Sequence, residues 1–238
     1  MKIILQKLIS GSGYCSRRQA EELIKSGHVK INGQLAFAGD QADSLRDKVT
    51  IKGRLLPEPP EKIYIKLNKP LGYTCTNRKF KDEKNIFDLI NIPERLFAVG
   101  RLDKDSRGLV LLTNDGELTQ RLAHPRFEHK KIYEVKIKGD IKNSGLIIKK
   151  MLGGIDIGEG DGIARAKEIK YLQNNIFVIT LSEGKKRQIR RMFRTLELEV
   201  ADLKRVDLAG LSLGDLKEGR WVHLSPEEIN KLKIGEVA

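Results

Sequence analysis

The sequence predicts an α+β protein built in two parts. A small module of two helices and short strands is joined by a linker to a larger domain, a mixed, mostly antiparallel β-sheet flanked by helices. Three observations carry this. Two helical periods and two brief β-branched runs fall within the first 53 residues. Residues 54–62 (RLLPEPPEK) then hold three of the seven prolines and show no periodicity. From Ile63 onward, period-two runs alternate irregularly with helical periods, unlike a regular βαβ series.

In chain order, residues 2–11 read as a helix with Ile4, Leu5, Leu8 and Ile9 on one face and Gly11 closing it. A second helix opens at the capping box Ser16-Arg17-Arg18-Gln19 and ends before Gly27. Ala20, Leu23 and Ile24 point inward, leaving Arg17, Arg18 and Lys25 for solvent or a ligand. Val29–Ile31, the turn Asn32-Gly33 and a strand near Val49–Ile51 complete a core too small to be robust alone. Beyond the linker, Ile63–Leu67 reads as a strand running into the turn at 68–72. A short helix over Ile86–Ile90 and a strand over Leu96–Val99 follow. Next come a helix over Glu117–Ala123, a period-two strand over Ile132–Ile137 and a helix over 143–152. Strands near Ala164–Tyr171, Ile176–Leu181 and Val200–Val206 precede a last helix, opened by Ser225-Pro226-Glu227-Glu228.

With 45 Lys+Arg against 32 Asp+Glu the net charge is +13, and such an excess favours a polyanionic partner. Cys15 and Cys75 lie far apart without a CxxC pattern, and the four histidines are scattered, so no metal is expected. Reduced thiols fit a cytoplasmic location. No apolar run approaches the ~18–20 residues that span a bilayer, and the first residues turn polar too soon for a signal peptide. P-loop and GxGxxG patterns are absent.

Two stretches carry candidate chemistry. In Gly100–Leu118 (GRLDKDSRGLVLLTNDGEL) a charged turn feeds a short apolar strand closed by Asn114-Asp115-Gly116. An acid in that turn is carried by a rigid element yet faces the surface, which makes Asp103 the candidate catalytic group. In Ser182–Leu196, read as one helix, Ile189, Met192, Phe193 and Leu196 form an apolar stripe. Arg187, Arg190, Arg191 and Arg194 repeat the same spacing beside it. Four arginines without interleaved glutamates repel one another unless an anion is present, so a phosphate backbone explains them better than solvation.

The first 53 residues, LQKLISGSGYCSRRQAEELIKSGHVKINGQ above all, resemble the S4-like RNA-binding module first described in a small-subunit ribosomal protein. By that likeness Arg17, Arg18 and Lys30 are phosphate contacts that position RNA without reading its sequence. The segments GRLDKDSRGLVLLTNDGEL, HPRFEHKKIYEV (124–135), EGKKRQIRRMF (183–193) and LKRVDLAGLSLGDLKEGRW (203–221) resemble, in the same order, the RsuA/RluB-type ribosomal RNA pseudouridine synthases. The resemblance implies the pseudouridine synthase fold and a cofactor-free isomerase. In such an enzyme a uridine base already in RNA is detached, turned and rejoined to its ribose through carbon.

By the resemblance Asp103 is the catalytic aspartate and Arg190 the basic residue paired with it. Tyr133 stacks on the target uracil, Ile189 packs against it, and Arg101 fills the gap left by the extruded base. Arg187 stands where some relatives have histidine, which bears on substrate preference. The implied partner is ribosomal RNA, 23S favoured over 16S, with no membrane and a monomeric enzyme. The chemistry is consistent: a base must leave its stack to be rearranged, and an aromatic floor offsets part of that cost. A desolvated carboxylate also needs a cation to stay ionised. Three roles for Asp103 fit the residues alike: attack on the sugar, attack on the ring, or removal of a ribose proton. The rival readings are a non-catalytic rRNA-binding or ribosome-assembly factor and a fragment of an aminoacyl-tRNA synthetase. The latter lacks its nucleotide-binding signature here.

Overall fold

The computed structural model describes residues 2–78, 81–123, 127, 129–234 and divides the chain into two compact units. The first comprises Met1–Ile63 with Ile92–Leu96 and Asn114–Gly116, and the second holds the remainder.

In the first unit β1 (Ile3–Ile4) leads into α1 (Leu5–Gly11), followed by α2 (Arg17–Lys25), β2 (Val29–Ile31), β3 (Gln34–Leu35), β4 (Gln41–Ala42), β5 (Val49–Ile51) and β6 (Arg54–Leu55). The opening helix starts three residues later than its periodicity suggests. Ile3 and Ile4 pair instead with Ala42 and Gln41, and Leu5 N–H donates to the Asp40 carbonyl at 2.8 Å. The α2 capping box forms as expected, with the Gln19 amide donating to the Ser16 hydroxyl and the Ser16 amide donating to the Gln19 side chain. Two hairpins turn on left-handed pairs, Asn32-Gly33 and Lys52-Gly53. These are the two-residue turns whose twist suits adjoining strands. The second hairpin corrects the expected linker at its start, because Arg54 and Leu55 pair with Ile51 and Thr50 as an edge strand. Leu5, Leu8, Ile9, Ala20, Ile24, Val29, Val49 and Ile51 share one core.

The second unit is organised on one large sheet. Its elements are β7 (Tyr64–Lys69), β8 (Phe97–Val99), β9 (Arg107–Thr113), α3 (Gly116–Ala123, which begins at the last residue of the first unit), β10 (Lys131–Ile137), α4 (Ser144–Gly153), β11 (Ile155–Asp156), β12 (Ile163–Ala164), β13 (Glu168–Tyr171), β14 (Ile176–Leu181), α5 (Gln188–Thr195), β15 (Val200–Leu208), β16 (Leu211–Ser212), β17 (Trp221–His223) and α6 (Pro226–Ile234). The strand order is β13–β14–β10–β15–β9–β7–β17, with β8 beside β9 and β16 beside β15. Only the β15–β9 pairing in this sheet is parallel, so the mostly antiparallel expectation holds among the described residues. The single strand expected near Ala164–Tyr171 is two, since Ala164 pairs with Ile155 and Glu168 with Thr180. One face of the sheet packs Tyr64, Val99, Leu109, Leu111 and Leu208 against Leu118 and Leu122 of α3 and Leu232 of α6. The helix opening at Ser225 is capped as its sequence indicates, with reciprocal bonds between Ser225 and Glu228 at 3.0 and 3.3 Å.

At Gly108 the chain approaches closest: a Cβ there would lie 2.3 Å from the Arg205 carbonyl oxygen, and its φ is +103°. Both features demand glycine. Gly108→Ala is expected to destabilise the protein by about 2–4 kcal/mol in chemical unfolding. A change within ~0.5 kcal/mol contradicts the close approach.

Candidate active site

The loop 100–106 is held from beneath and from both sides. Gly72 N–H donates to the Lys104 carbonyl at 2.8 Å, Ser106 N–H to the Asp103 carbonyl at 3.0 Å, and the buried Lys69 ammonium to the Ser106 carbonyl at 2.5 Å. Burial pushes the Lys69 ammonium below its ordinary value, and the nearby negative charges of Asp105 and Asp103 pull it back up. Asp103 is half-buried, and among the described residues its carboxylate makes no hydrogen bond or ion pair.

Asp105 holds the arginines instead. Arg187 grips its carboxylate through two bonds of 2.9 and 2.6 Å, and Arg190 Nε lies 3.2 Å from Oδ2. Arg190 also donates to the backbone carbonyls of Asp105 and of Val200. This corrects the expected Asp103–Arg190 pair: the loop turns so that the second acid, two residues on, meets α5. The Arg187 hydrogen bond is the largest influence holding the Asp105 carboxyl below the usual carboxylate range, and burial opposes it. The same bond holds Arg187 above its ordinary value, with a smaller contribution from the charge of Asp103.

The expected four-arginine stripe does not form one face. The helix α5 begins only at Gln188, and Arg187 precedes it in a left-handed conformation, φ 51°. Arg191 is corrected from RNA contact to structural anchor. It is 4% exposed and donates to the carbonyls of Ile157, Gly158 and Lys186 and to the Asp161 carboxylate. It thereby fastens the 157–162 turn to α5. Arg194 alone of the four is broadly open, 72% at its side chain and 3.9 Å from Glu159. Ile189 belongs to the buried face of α5 with Met192 and Phe193. Tyr133 lies in mid-β10, 9% exposed, and Arg101 is exposed at the loop's start. His124–Arg126 and Glu128 of the HPRFEHKKIYEV segment lie outside the described residues.

In the first unit Arg17 and Arg18 are exposed on the opening turn of α2. Lys30 lines an open depression of about 530 Å³ with Ser26, Gly27, His28, Lys52 and Gly53. Two lysines and a histidine around this depression make a surface suited to phosphate oxygens. Among the described residues no cluster of three or more His, Cys, Asp or Glu could hold a metal ion, and no helix is long and apolar enough to cross a membrane. Both cysteines are unpaired.

Sequence reasoning did not single out Asp105, Lys69 or Arg205. The signal for Asp105 was its place beside Asp103. Arg205 lay in a strand whose burial pattern is hard to read from a sequence that mixes Lys, Arg and Asp with Leu and Val.

A charged loop held by cations in one unit, and an open basic surface in the other unit of the same chain, make the plan of an enzyme that works on a polyanion. Comparison with known families makes the class specific. Residues 63–195 match the RNA pseudouridylate synthase family and residues 5–41 the S4 domain, and the chain belongs to the RNA pseudouridylate synthase family. It is 40% identical to the ribosomal large subunit pseudouridine synthase B of Bacillus subtilis (strain 168), over 96% of this chain and 95% of that protein. It is 37% identical to the dual-specificity RNA pseudouridine synthase RluF of Escherichia coli (strain K12), over 94% of this chain and 76% of that one. A crystal structure of a pseudouridylate synthase superposes with a TM-score of 0.71 at 31% identity, covering 97% of this chain and 99% of that one.

Asp105→Asn is expected to lower turnover about 10- to 100-fold by loosening the loop that carries Asp103. It should cost less than about 1 kcal/mol of stability, because the pair is partly exposed. With its pKa lowered by folding, Asp105 stabilises the fold fully above its unfolded value of ~3.9 and loses that contribution as pH falls through the folded value. Chemical unfolding followed from pH 7 down to pH 2 checks this: the wild-type advantage over the variant should be flat at neutral pH and vanish only in acid. Arg191→Met is expected to cost about 2–3 kcal/mol by stranding three carbonyls and a carboxylate. Unchanged stability contradicts its role as an anchor.

Proposed function

We propose that this protein isomerises a uridine of ribosomal RNA to pseudouridine, with Asp103 as the catalytic carboxylate. The observation that carries the reading is the division of labour in the loop: Asp105 engages both arginines, and Asp103 keeps its carboxylate for a substrate. The target nucleotide is flipped from its stack at a cost of a few kcal/mol, which stacking on Tyr133 offsets by about 1–3 kcal/mol. The N1–C1′ bond then breaks and a C5–C1′ bond forms, while C5 loses a proton and N1 gains one. No atom is gained or lost overall. Arg17, Arg18 and Lys30 hold phosphates in the small module, and Arg101 and Arg194 hold them near the site.

The relatives' names support the large subunit's 23S RNA over 16S as the substrate. A protein that meets ribosomal RNA as it is made works in the cytoplasm, and all the groups invoked come from one chain, so a monomer suffices. The chain's 133-residue match to a catalytic family model, 63–195, favours an enzyme over a binding factor.

In the test, 23S and 16S transcripts carrying uridine tritiated at C5 are incubated with the protein, and release of tritium to water is counted. Wild type should release it from 23S, and Asp103→Ala should be slower by at least ~100-fold. An equal rate in the variant removes Asp103 from the chemistry. Replacing Arg17 and Arg18 by alanine should weaken RNA binding and flatten the slope of log affinity against log salt by about 1–2 units, leaving the rate at saturating RNA unchanged. An unaltered salt slope contradicts the assigned phosphate contacts.

A further inference from the structure

Four directly paired residues cross the centre of the sheet in one row. Tyr133 on β10 pairs with Arg205 on β15, Arg205 with Gly108 on β9, and Gly108 with Lys69 on β7. Directly paired residues point to the same face, so the tyrosine and the two cations share one surface and Gly108 leaves a gap between the cations. Arg205 is 1% exposed and Lys69 0%. Lys69 is satisfied by the carbonyls of Pro70 and Ser106. Arg205 is only part-satisfied. Its Nε donates to the Leu109 carbonyl at 2.8 Å, but its Nη2 is buried with no hydrogen-bond partner among the described residues.

The guanidinium tip reaches the candidate active site. Its Nη1 lies 4.0 Å from the point where a Cβ on Gly100 would stand, at the entrance of the loop that carries Asp103. Lys131, two residues before Tyr133 on the same strand, is near enough for the charge of Arg205 to press its ammonium down, after burial has done so. Neither Arg205 nor Lys69 has a carboxylate within 4.0 Å among the described residues. A buried charge left without a counter-charge is costly, and an unmet donor adds to that cost. This surface is therefore set up to receive negative charge.

The chemistry of the reaction narrows which negative charge. A phosphate is bulky, strongly hydrated and well served by the exposed Arg101 and Arg194. A 1%-exposed guanidinium in line with an aromatic ring suits a carbonyl oxygen of a planar ring stacked on that aromatic. Resting on the isomerase reading, we propose that Arg205, through Nη2, donates a hydrogen bond to a carbonyl oxygen of the flipped uracil and stabilises the negative charge that the ring takes up. When the N1–C1′ bond breaks, its electron pair passes to N1 and spreads over O2 and O4. The electron deficiency at C1′ is met by a bond to the Asp103 carboxylate, or by loss of a C2′ proton to it. The ring then returns a pair to C1′ from C5 as the C1′–Asp103 bond breaks with its electrons returning to the carboxylate, or as Asp103 gives the proton back to C2′; C5 gives up its proton and N1 takes one. Arg205 is thus a catalytic residue that acts most strongly where charge develops.

The test compares Arg205→Met, which keeps most of the volume without the charge, with Arg205→Lys, which keeps the charge. Single-turnover rates at saturating RNA are read by tritium release from the C5-labelled 23S transcript, and affinity is measured by filter binding. A second 23S transcript carries 5-fluorouridine, whose more acidic ring leaves more easily. It is digested with nuclease, and the carbon-linked product is counted by mass spectrometry. Arg205→Met should be at least ~100-fold slower with an RNA affinity within ~3-fold of wild type, and Arg205→Lys should recover ~10-fold or more. The Met defect should shrink at least ~5-fold on the fluorinated RNA, because a better leaving group needs the cation less. If Arg205→Met does not fold, Arg205→Lys still carries the test through its own smaller defect on the fluorinated RNA. Equal losses in the two variants with the same defect on both RNAs overturn the proposal in favour of a purely structural arginine, as does a wild-type rate in Arg205→Met. A wild-type protein that releases no tritium from either rRNA overturns the isomerase reading and this assignment with it.

Discussion

The catalytic unit depends on the contact between β15 and β9 at Gly108. Among the described residues it is the one parallel pairing of an otherwise antiparallel sheet, and it brings the Arg205 backbone to where any side chain at 108 would stand. Two consequences follow from that missing side chain. The strand β9 is held inside the sheet, between β15 and β7, so the loop before it leads into an interior strand and not an edge strand. Arg205 and Lys69 are also set on either side of the gap, where Arg205 Nη1 comes within 4.0 Å of the point a Cβ on Gly100 would occupy and Lys69 donates to the Ser106 carbonyl. A packed sheet thereby fixes the position of an otherwise irregular charged turn, which is how rigid elements usually deliver catalytic side chains.

Within that loop, two acids separated by one residue have different electrostatic surroundings. Asp105 is held by a two-bond guanidinium fork from Arg187 and a further contact from Arg190, geometry that favours the ionised form and fixes orientation. Asp103 is left half-buried, its carboxylate unengaged among the described residues. Had both arginines closed on Asp103, its carboxylate oxygens would be occupied before a substrate arrived. The arginines of α5 serve three separate ends: Arg187 and Arg190 fix the loop, Arg191 fastens the 157–162 turn, and Arg194 remains open to solvent.

Much of this was legible in the sequence, and the exceptions have physical causes. The period-two run at 132–137, the strand at 176–181, the capping boxes at Ser16 and Ser225, and the Asn32-Gly33 turn are local signals that local geometry obeyed. The start of α1 was misplaced because Ile3 and Ile4 suit a helix face equally well, and only pairing with 41–42 decides otherwise. Arg54 and Leu55 were hidden by the prolines that follow, although Lys52-Gly53 is a workable hairpin turn. The arginine stripe failed because helical spacing assumes that the helix includes Arg187, and a left-handed residue there ends the periodicity. Spacing also cannot show that Arg191 has three carbonyls waiting for it. The row of Tyr133, Arg205, Gly108 and Lys69 joins four segments distant in sequence, so only the register of the folded sheet reveals it.

The central claim is that this row and the loop above it receive an everted uracil. It is tested most directly by a crystal structure of the protein bound to a ribosomal RNA fragment with 5-fluorouridine at the modified position. The account predicts the fluorinated ring lying on the Tyr133 face, with the Asp103 carboxylate against its ribose and Asp105 still gripped by Arg187. A base that stays stacked in the RNA, or one that lodges away from Tyr133 with Asp103 facing solvent, contradicts it.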